Sequence, residues 1–172
     1  MAIVMNITED HFVEIMQTYF PQNFTMIGLK CLYEHIKETS DGIGEDYIFT
    51  PANIATEFHE YGVKELIDEY PVLLDSMVVE DVIDELDEKE FNKLLEEYDY
   101  HSNAKGWEDG YDFLCRVAKP KHLYNLYIRE DEDLFEDFFD YYIVPVLFDN
   151  GAIAAEGYIQ EDRWIIPTDF NP

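Results

Sequence analysis

Leu134-Phe135-Glu136-Asp137-Phe138-Phe139-Asp140-Tyr141-Tyr142 is the stretch around which this chain is organised. Leu134, Phe135, Phe138, Phe139 and Tyr142 recur at i, i+1, i+4, i+5 and i+8, which places them on one side of an α-helix. Glu132, Asp133, Glu136, Asp137 and Asp140 fall on the other side, and no basic residue lies between Glu130 and Asp140. The same spacing occurs earlier in Val78, Val79, Val82, Ile83 and Leu86, with Glu80, Asp81, Asp84 and Glu85 in the gaps. Two helices with an apolar back and a purely acidic front point to a protein whose output is its surface charge.

Downstream, Ile143–Phe148 is a compact apolar run. Asp149-Asn150-Gly151 and then Ala152–Ile159 follow it. Asn-Gly between two strand-like runs predicts a β-hairpin, and Arg163–Ile166 is expected to add an edge segment. Upstream, Thr8 can cap a first helix carrying Phe12, Ile15, Met16 and Tyr19, which Phe20-Pro21 ends. A second helix is expected from about Phe24 to Thr39 with Ile27, Cys31 and Ile36 facing in, followed by a loop at Ser40–Gly44. Tyr47–Phe49 is β-prone. Ile54, Thr56 and Phe58 alternate and read as a strand, with a helix starting at Pro51 as the rival. Val63, Leu66, Ile67 and Tyr70 give a short helix stopped before Pro71.

The middle of the chain reads helical. Asp87-Glu88-Lys89-Glu90 resembles a capping box, opening a helix with Phe91, Leu94, Leu95 and Tyr98. Asp99–Gly110 reads as a loop and Tyr111–Val117 as a further helix. The expectation is therefore an α+β fold, mostly helical, with a small antiparallel sheet that includes a C-terminal β-hairpin. It would form a single domain over residues 1–172 with a helical insertion at about 72–125.

Composition limits the partners. The 172 residues hold 11 Lys plus Arg against 39 Asp plus Glu, a formal charge of −28, yet 47% are hydrophobic and 16% aromatic. The chain can bury a real core and is not a disordered acidic tail. Nucleic acid and anionic membrane, both polyanions, are excluded as ordinary ligands. A basic protein surface, a polyamine or metal ions remain. Cys31 and Cys115 make no disulfide framework and read as small buried hydrophobes. With no signal-like N-terminus and no membrane-length apolar run, the expected location is the cytoplasm.

No chemistry-bearing motif emerges. GxSxG, Walker A, GxGxxG, HExxH and EF-hand patterns are all missing, and His11, His35, His59, His101 and His122 lack ligand spacing. A Cys31–His35 pair at i, i+4 is the only thiolate arrangement. No catalytic residue, metal site or cofactor is expected.

The acidic faces carry the functional reading. From Glu57 to Glu97 there are 15 acids against Lys64, Lys89 and Lys93, a net of −12. As a helix, Glu130–Asp140 would span roughly 16 Å and carry seven carboxylates, about one per 2.4 Å. Duplex DNA carries one phosphate per ~1.7 Å of axis, a density of the same order. Glu80, Asp81, Asp84, Glu85, Glu132, Asp133, Glu136, Asp137 and Asp140 are thus expected to stand in for phosphates, held in register by buried Leu134, Phe135, Phe138 and Phe139. Tyr98, Tyr100, Tyr141 and Tyr142 flank these rows, as core packing or as anchors for a protein partner. The reading is a DNA mimic that occupies the groove of a basic DNA-binding protein or nuclease complex. The alternative is an acidic adaptor that shields a basic protein without blocking DNA. The sequence leaves the oligomeric state, a homodimer included, open.

Two segments carry a resemblance. Phe24-Thr25-Met26-Ile27-Gly28-Leu29 through Leu32-Tyr33-Glu34-His35-Ile36, then Phe49 through Phe58-His59-Glu60-Tyr61, resembles the start of small acidic proteins of phages and plasmids. Leu134–Phe139, Ile143–Phe148 and Asp149-Asn150-Gly151 are similar to their end. The likeness covers about half of the chain and implies a mobile-element origin rather than an activity. In size and charge alone the chain also resembles anti-restriction and anti-CRISPR DNA mimics of the ArdA type, with no motif residue in common.

Overall fold

The computed structural model describes residues 3–4, 7–43, 48–101, 109–155 and 163–172. The chain divides into two compact units, one made of Met1–Tyr70 with Pro145–Pro172 and the other of Pro71–Val144. The fold is α+β, mostly helical, with a small antiparallel sheet that ends in a C-terminal hairpin.

In the first unit, β1 (Ile3–Val4) pairs antiparallel with β2 (Ile48–Phe49). Between them run α1 (Glu9–Tyr19) and α2 (Met26–Ile43). Thr8 caps α1 by accepting from the His11 amide, and Thr25 Oγ1 accepts from the Gly28 amide at 3.0 Å in the first turn of α2. The helix α2 continues through the expected loop at Ser40 to Ile43, and Gly44 lies outside the described residues. Its inward face is Leu29, Leu32, Tyr33 and Ile36, whereas Ile27 is exposed and Cys31 partly buried. In α1 the expected stripe is displaced, because Val13 is buried with Phe12 and Met16 while Tyr19 is exposed.

Pro51 then opens α3 (Pro51–Glu57), so the expected strand at Ile54–Phe58 gives way to the rival helix. Proline at the first helical position costs no hydrogen bond, and the helix buries Ile54 and Ala55 together while Asn53, Thr56 and Glu57 stay exposed. The chain becomes extended only at β3 (Phe58–Gly62), before α4 (Val63–Glu69).

The second unit begins with a 3-10 turn at Pro71–Ser76 and continues through α5 (Val79–Asp84), α6 (Glu88–Glu97), α7 (Gly110–Val117) and α8 (Pro120–Leu123). A π turn at Tyr124–Ile128 precedes α9 (Glu132–Phe138), and a second π turn covers Phe139–Ile143. Acidic side chains cap several of these helices. Asp87 and Glu90 form a complete capping box, Asp109 accepts from the Asp112 amide, and Asp131 accepts from the Leu134 amide. Asp99, at φ 51°, closes α6, with the Tyr100 amide bonded to the Leu95 carbonyl and the Asp99 amide to Glu96. The core is aromatic. Tyr124 lies 5.8 Å from Phe138 and 6.3 Å from Phe135, and Phe135 stacks on Phe139 at 5.9 Å.

The chain returns to the first unit through α10 (Val144–Asp149), where a strand was expected. Asn150-Gly151 is its C-cap, not a hairpin turn. Gly151 takes φ 79°, its amide bonds the Phe148 carbonyl, and the Ala152 amide bonds the Leu147 carbonyl, the two bonds of a Schellman motif. The hairpin joins β4 (Ile153–Ala155) to β5 (Arg163–Pro167), and residues 156–162 lie outside the described residues. The segment Arg163–Ile166 is not an edge. It belongs to the central strand, in the order β3-β5-β4, pairing Phe58 with Pro167 on one side and Ile153 with Ile165 on the other. Trp164, Ile165 and Ile166 are all buried, as a central strand covered on both faces requires.

Candidate protein-binding surface

All nine carboxylates singled out above lie in the second unit, and all are exposed. In α5, Ile83 is buried while Glu80, Asp81, Asp84 and Glu85 face water. In α9 and the π turn after it, Phe135, Phe138 and Phe139 are buried beneath Glu132, Asp133, Glu136, Asp137 and Asp140. Leu134 is 39% exposed, so it does not hold the row from below. Being one residue ahead of Phe135 puts it at the shoulder of the helix, where the carboxylates begin.

Among the described residues, none of the nine carboxylates shares an ion pair with a cation. Three basic side chains of this unit meet other acids instead. Arg129 Nε lies 3.7 Å from Glu130, while Lys93 Nζ and His122 Nε2 lie 3.8 and 3.1 Å from Glu97. Glu130 and Asp131 therefore leave the row, the first as an ion-pair partner and the second as the cap of α9. What remains is Glu132–Asp140, five carboxylates over roughly 13 Å of helix, about one per 2.7 Å.

Tyrosines tie these acids into the framework, a feature the sequence reading did not foresee. The Tyr142 hydroxyl donates to the Asp81 carboxylate, linking the π turn that follows α9 to α5. A π turn lacks the usual i+4 amide donors for its carbonyls. Ser76 Oγ sits 3.1 Å from the Tyr142 carbonyl and 2.7 Å from that of Leu73, so one hydroxyl serves both turns. The Tyr111 hydroxyl on α7 lies in the neighbourhood of Asp84 and Cys115. At the end of α6, the Tyr98 hydroxyl accepts from the Lys119 amide at 3.0 Å and meets His122 Nδ1 at 2.9 Å, which joins α6 to α8.

The electrostatics are one-sided. Burial, the Asp81 hydrogen bond and the neighbouring charges push the Tyr142 hydroxyl well above the ordinary tyrosine range. The hydrogen bond to Asp84, then burial, does the same to Tyr111. Burial raises the Cys115 thiol, and Glu80, Asp84 and Asp112 add to it against an opposing bond from Tyr111. Burial raises Tyr127, with Glu97, Glu90 and Asp87 behind it. Burial or a hydrogen bond held by the neutral form is the main reason each of these groups resists becoming an anion, and the acids around it add to that.

In the first unit the structure holds a different acid. The Glu60 side chain is 0% exposed. Its carboxylate accepts from the Thr25 amide at 2.8 Å, Thr25 Oγ1 at 2.7 Å and Arg163 Nε at 2.6 Å. Gly28 leaves the room for it, since a Cβ there would stand 2.1 Å from Glu60 Oε2. This network locks the start of α2 onto β3 and β5. Of the Cys31–His35 pair, His35 packs edge-on against Phe58 at 6.4 Å. Among the described residues, no helix is long and apolar enough to cross a membrane. The chain matches no protein-family model, no curated protein and no solved structure.

Proposed function

We propose that this chain is a DNA mimic of phage or mobile-element origin. It would occupy the basic DNA-binding groove of a host defence or DNA-processing protein, in the manner of an anti-restriction or anti-CRISPR inhibitor. The observation that carries the reading is the set of nine exposed carboxylates in one unit, none of them ion-paired among the described residues. Their spacing along α9, about one per 2.7 Å, is within a factor of two of the ~1.7 Å per phosphate of duplex DNA. Their helices are anchored by buried aromatic rings and a tyrosine brace, so the negative field is fixed in place. Binding then needs no bond made or broken. A cation-lined groove is attracted over a distance of about a Debye length, and association is fast and salt-sensitive.

The test is charge reversal on the immobilised chain, with capture from a lysate of the host cell. Glu136→Lys with Asp137→Lys is expected to weaken capture of a basic DNA-binding protein by about tenfold or more, while leaving the circular dichroism spectrum unchanged. Undiminished capture by a folded double variant would remove α9 from the interface. The alternative, an acidic adaptor, is favoured by one observation, the exposed aromatic ring of Tyr141, which has no counterpart on a phosphate backbone.

A further inference from the structure

Tyr141 is 73% exposed, more than any other large hydrophobic residue among those described. It is not a loose side chain. Its ring meets that of Tyr142 edge-on at 4.8 Å, and Tyr142 is held by Asp81 through its hydroxyl and by Ser76 at its carbonyl. Asp137 and Asp140, four residues and one residue before it, are both exposed. An exposed aromatic ring on a helical stretch that also exposes the acids Asp137 and Asp140 suits one kind of cation. A guanidinium stacks flat on an aromatic ring and sheds water readily, while its edge bonds a carboxylate in bidentate fashion. An ammonium is a strongly hydrated point charge and gains less from the ring.

We infer that Tyr141, with Asp137 and Asp140, takes an arginine side chain of the basic partner protein. The partner's face is therefore recognised by arginine and not merely by positive charge. The inference rests on the proposed reading of this unit as the binding face for a basic protein. It deepens that reading by making Tyr141 the anchor and the carboxylate rows the field around it. Aromatic anchors surrounded by weaker contacts are the usual anatomy of an interface hot spot.

The test uses an oligoarginine and an oligolysine peptide of equal length, titrated against the full chain at low salt. Wild type is expected to bind oligoarginine more tightly. Tyr141→Ala is expected to weaken oligoarginine by about three- to fivefold and to leave oligolysine within experimental scatter, with Tyr141→Phe behaving as wild type. Because the ring is exposed, the alanine variant is expected to melt with the wild type, which circular dichroism checks. An equal effect on both peptides, or none on either, overturns the inference. Glu136→Lys with Asp137→Lys separates its failure from that of the parent reading. If the reversal weakens both peptides but Tyr141→Ala discriminates nothing, only the role of Tyr141 falls. If the reversal weakens neither, the acidic face itself is not the binding surface, and the inference falls with it.

Discussion

Single residues set the two fixed points of this molecule. Glu60 is a buried acid whose oxygens are matched by Thr25 and Arg163, and it fits because position 28 has no Cβ. Removing the carboxylate strands a partly buried guanidinium, and Glu60→Ala is expected to cost about 2–3 kcal/mol in thermal or urea unfolding. Gly28→Ala drives a methyl into the carboxylate and is expected to destabilise the wild type. In the Glu60→Ala background the same change is expected to be neutral or stabilising by about 0.5 kcal/mol, because alanine is the better helix former. Additive losses would show that Gly28 and Glu60 are not coupled. In the other unit, Tyr142 is the fixed point. An ordinary tyrosine ionises near pH 10, so above that pH the unfolded chain loses this proton while the folded chain keeps it. Stability should therefore fall as pH rises beyond about 10, and Tyr142→Phe should flatten that fall at a cost of about 1 kcal/mol at neutral pH. Identical alkaline unfolding curves for the two proteins would contradict the brace to Asp81.

Among the elements, the helices show what a sequence can and cannot disclose. The capping signals at Thr8 and Asp87 were legible because they are local, satisfying amides within three residues. The acidic and apolar faces of α9 were legible because helical spacing sorts them. The segment from Ile143 to Phe148 was not, since a six-residue apolar run has no period that separates a buried strand from a buried helix. Asn150-Gly151 serves a hairpin turn or a Schellman cap equally well, and the bonds from Gly151 and Ala152 decide it. The two π turns and the Tyr142–Asp81 link are products of tertiary packing and carry no local signal. The nine acids could be named from the sequence, but not which of their neighbours would be used up. Asp131 caps α9 and Glu130 pairs with Arg129, so both were subtracted from the row only by the fold. Asp131→Ala is expected to lower stability by about 1 kcal/mol through the lost cap, without reducing partner capture. A loss of capture as large as that from reversing Glu136 and Asp137 would show that Asp131 belongs to the surface after all.

The molecule as a whole carries a formal charge of −28, and its described cations leave the nine acids of the second unit unmatched. Such a field repels itself, so stability is expected to rise with salt while affinity for a basic partner falls. The opposite signs distinguish a binding field from a charge that only aids solubility. DNA mimicry makes a stricter demand, because mimic and polynucleotide must exclude one another from a single groove. The decisive measurement is displacement of the captured basic protein from the immobilised chain by duplex DNA at fixed ionic strength. Mimicry requires that the duplex release the partner in proportion to its own affinity for that partner. A stable ternary complex of chain, partner and DNA would contradict it.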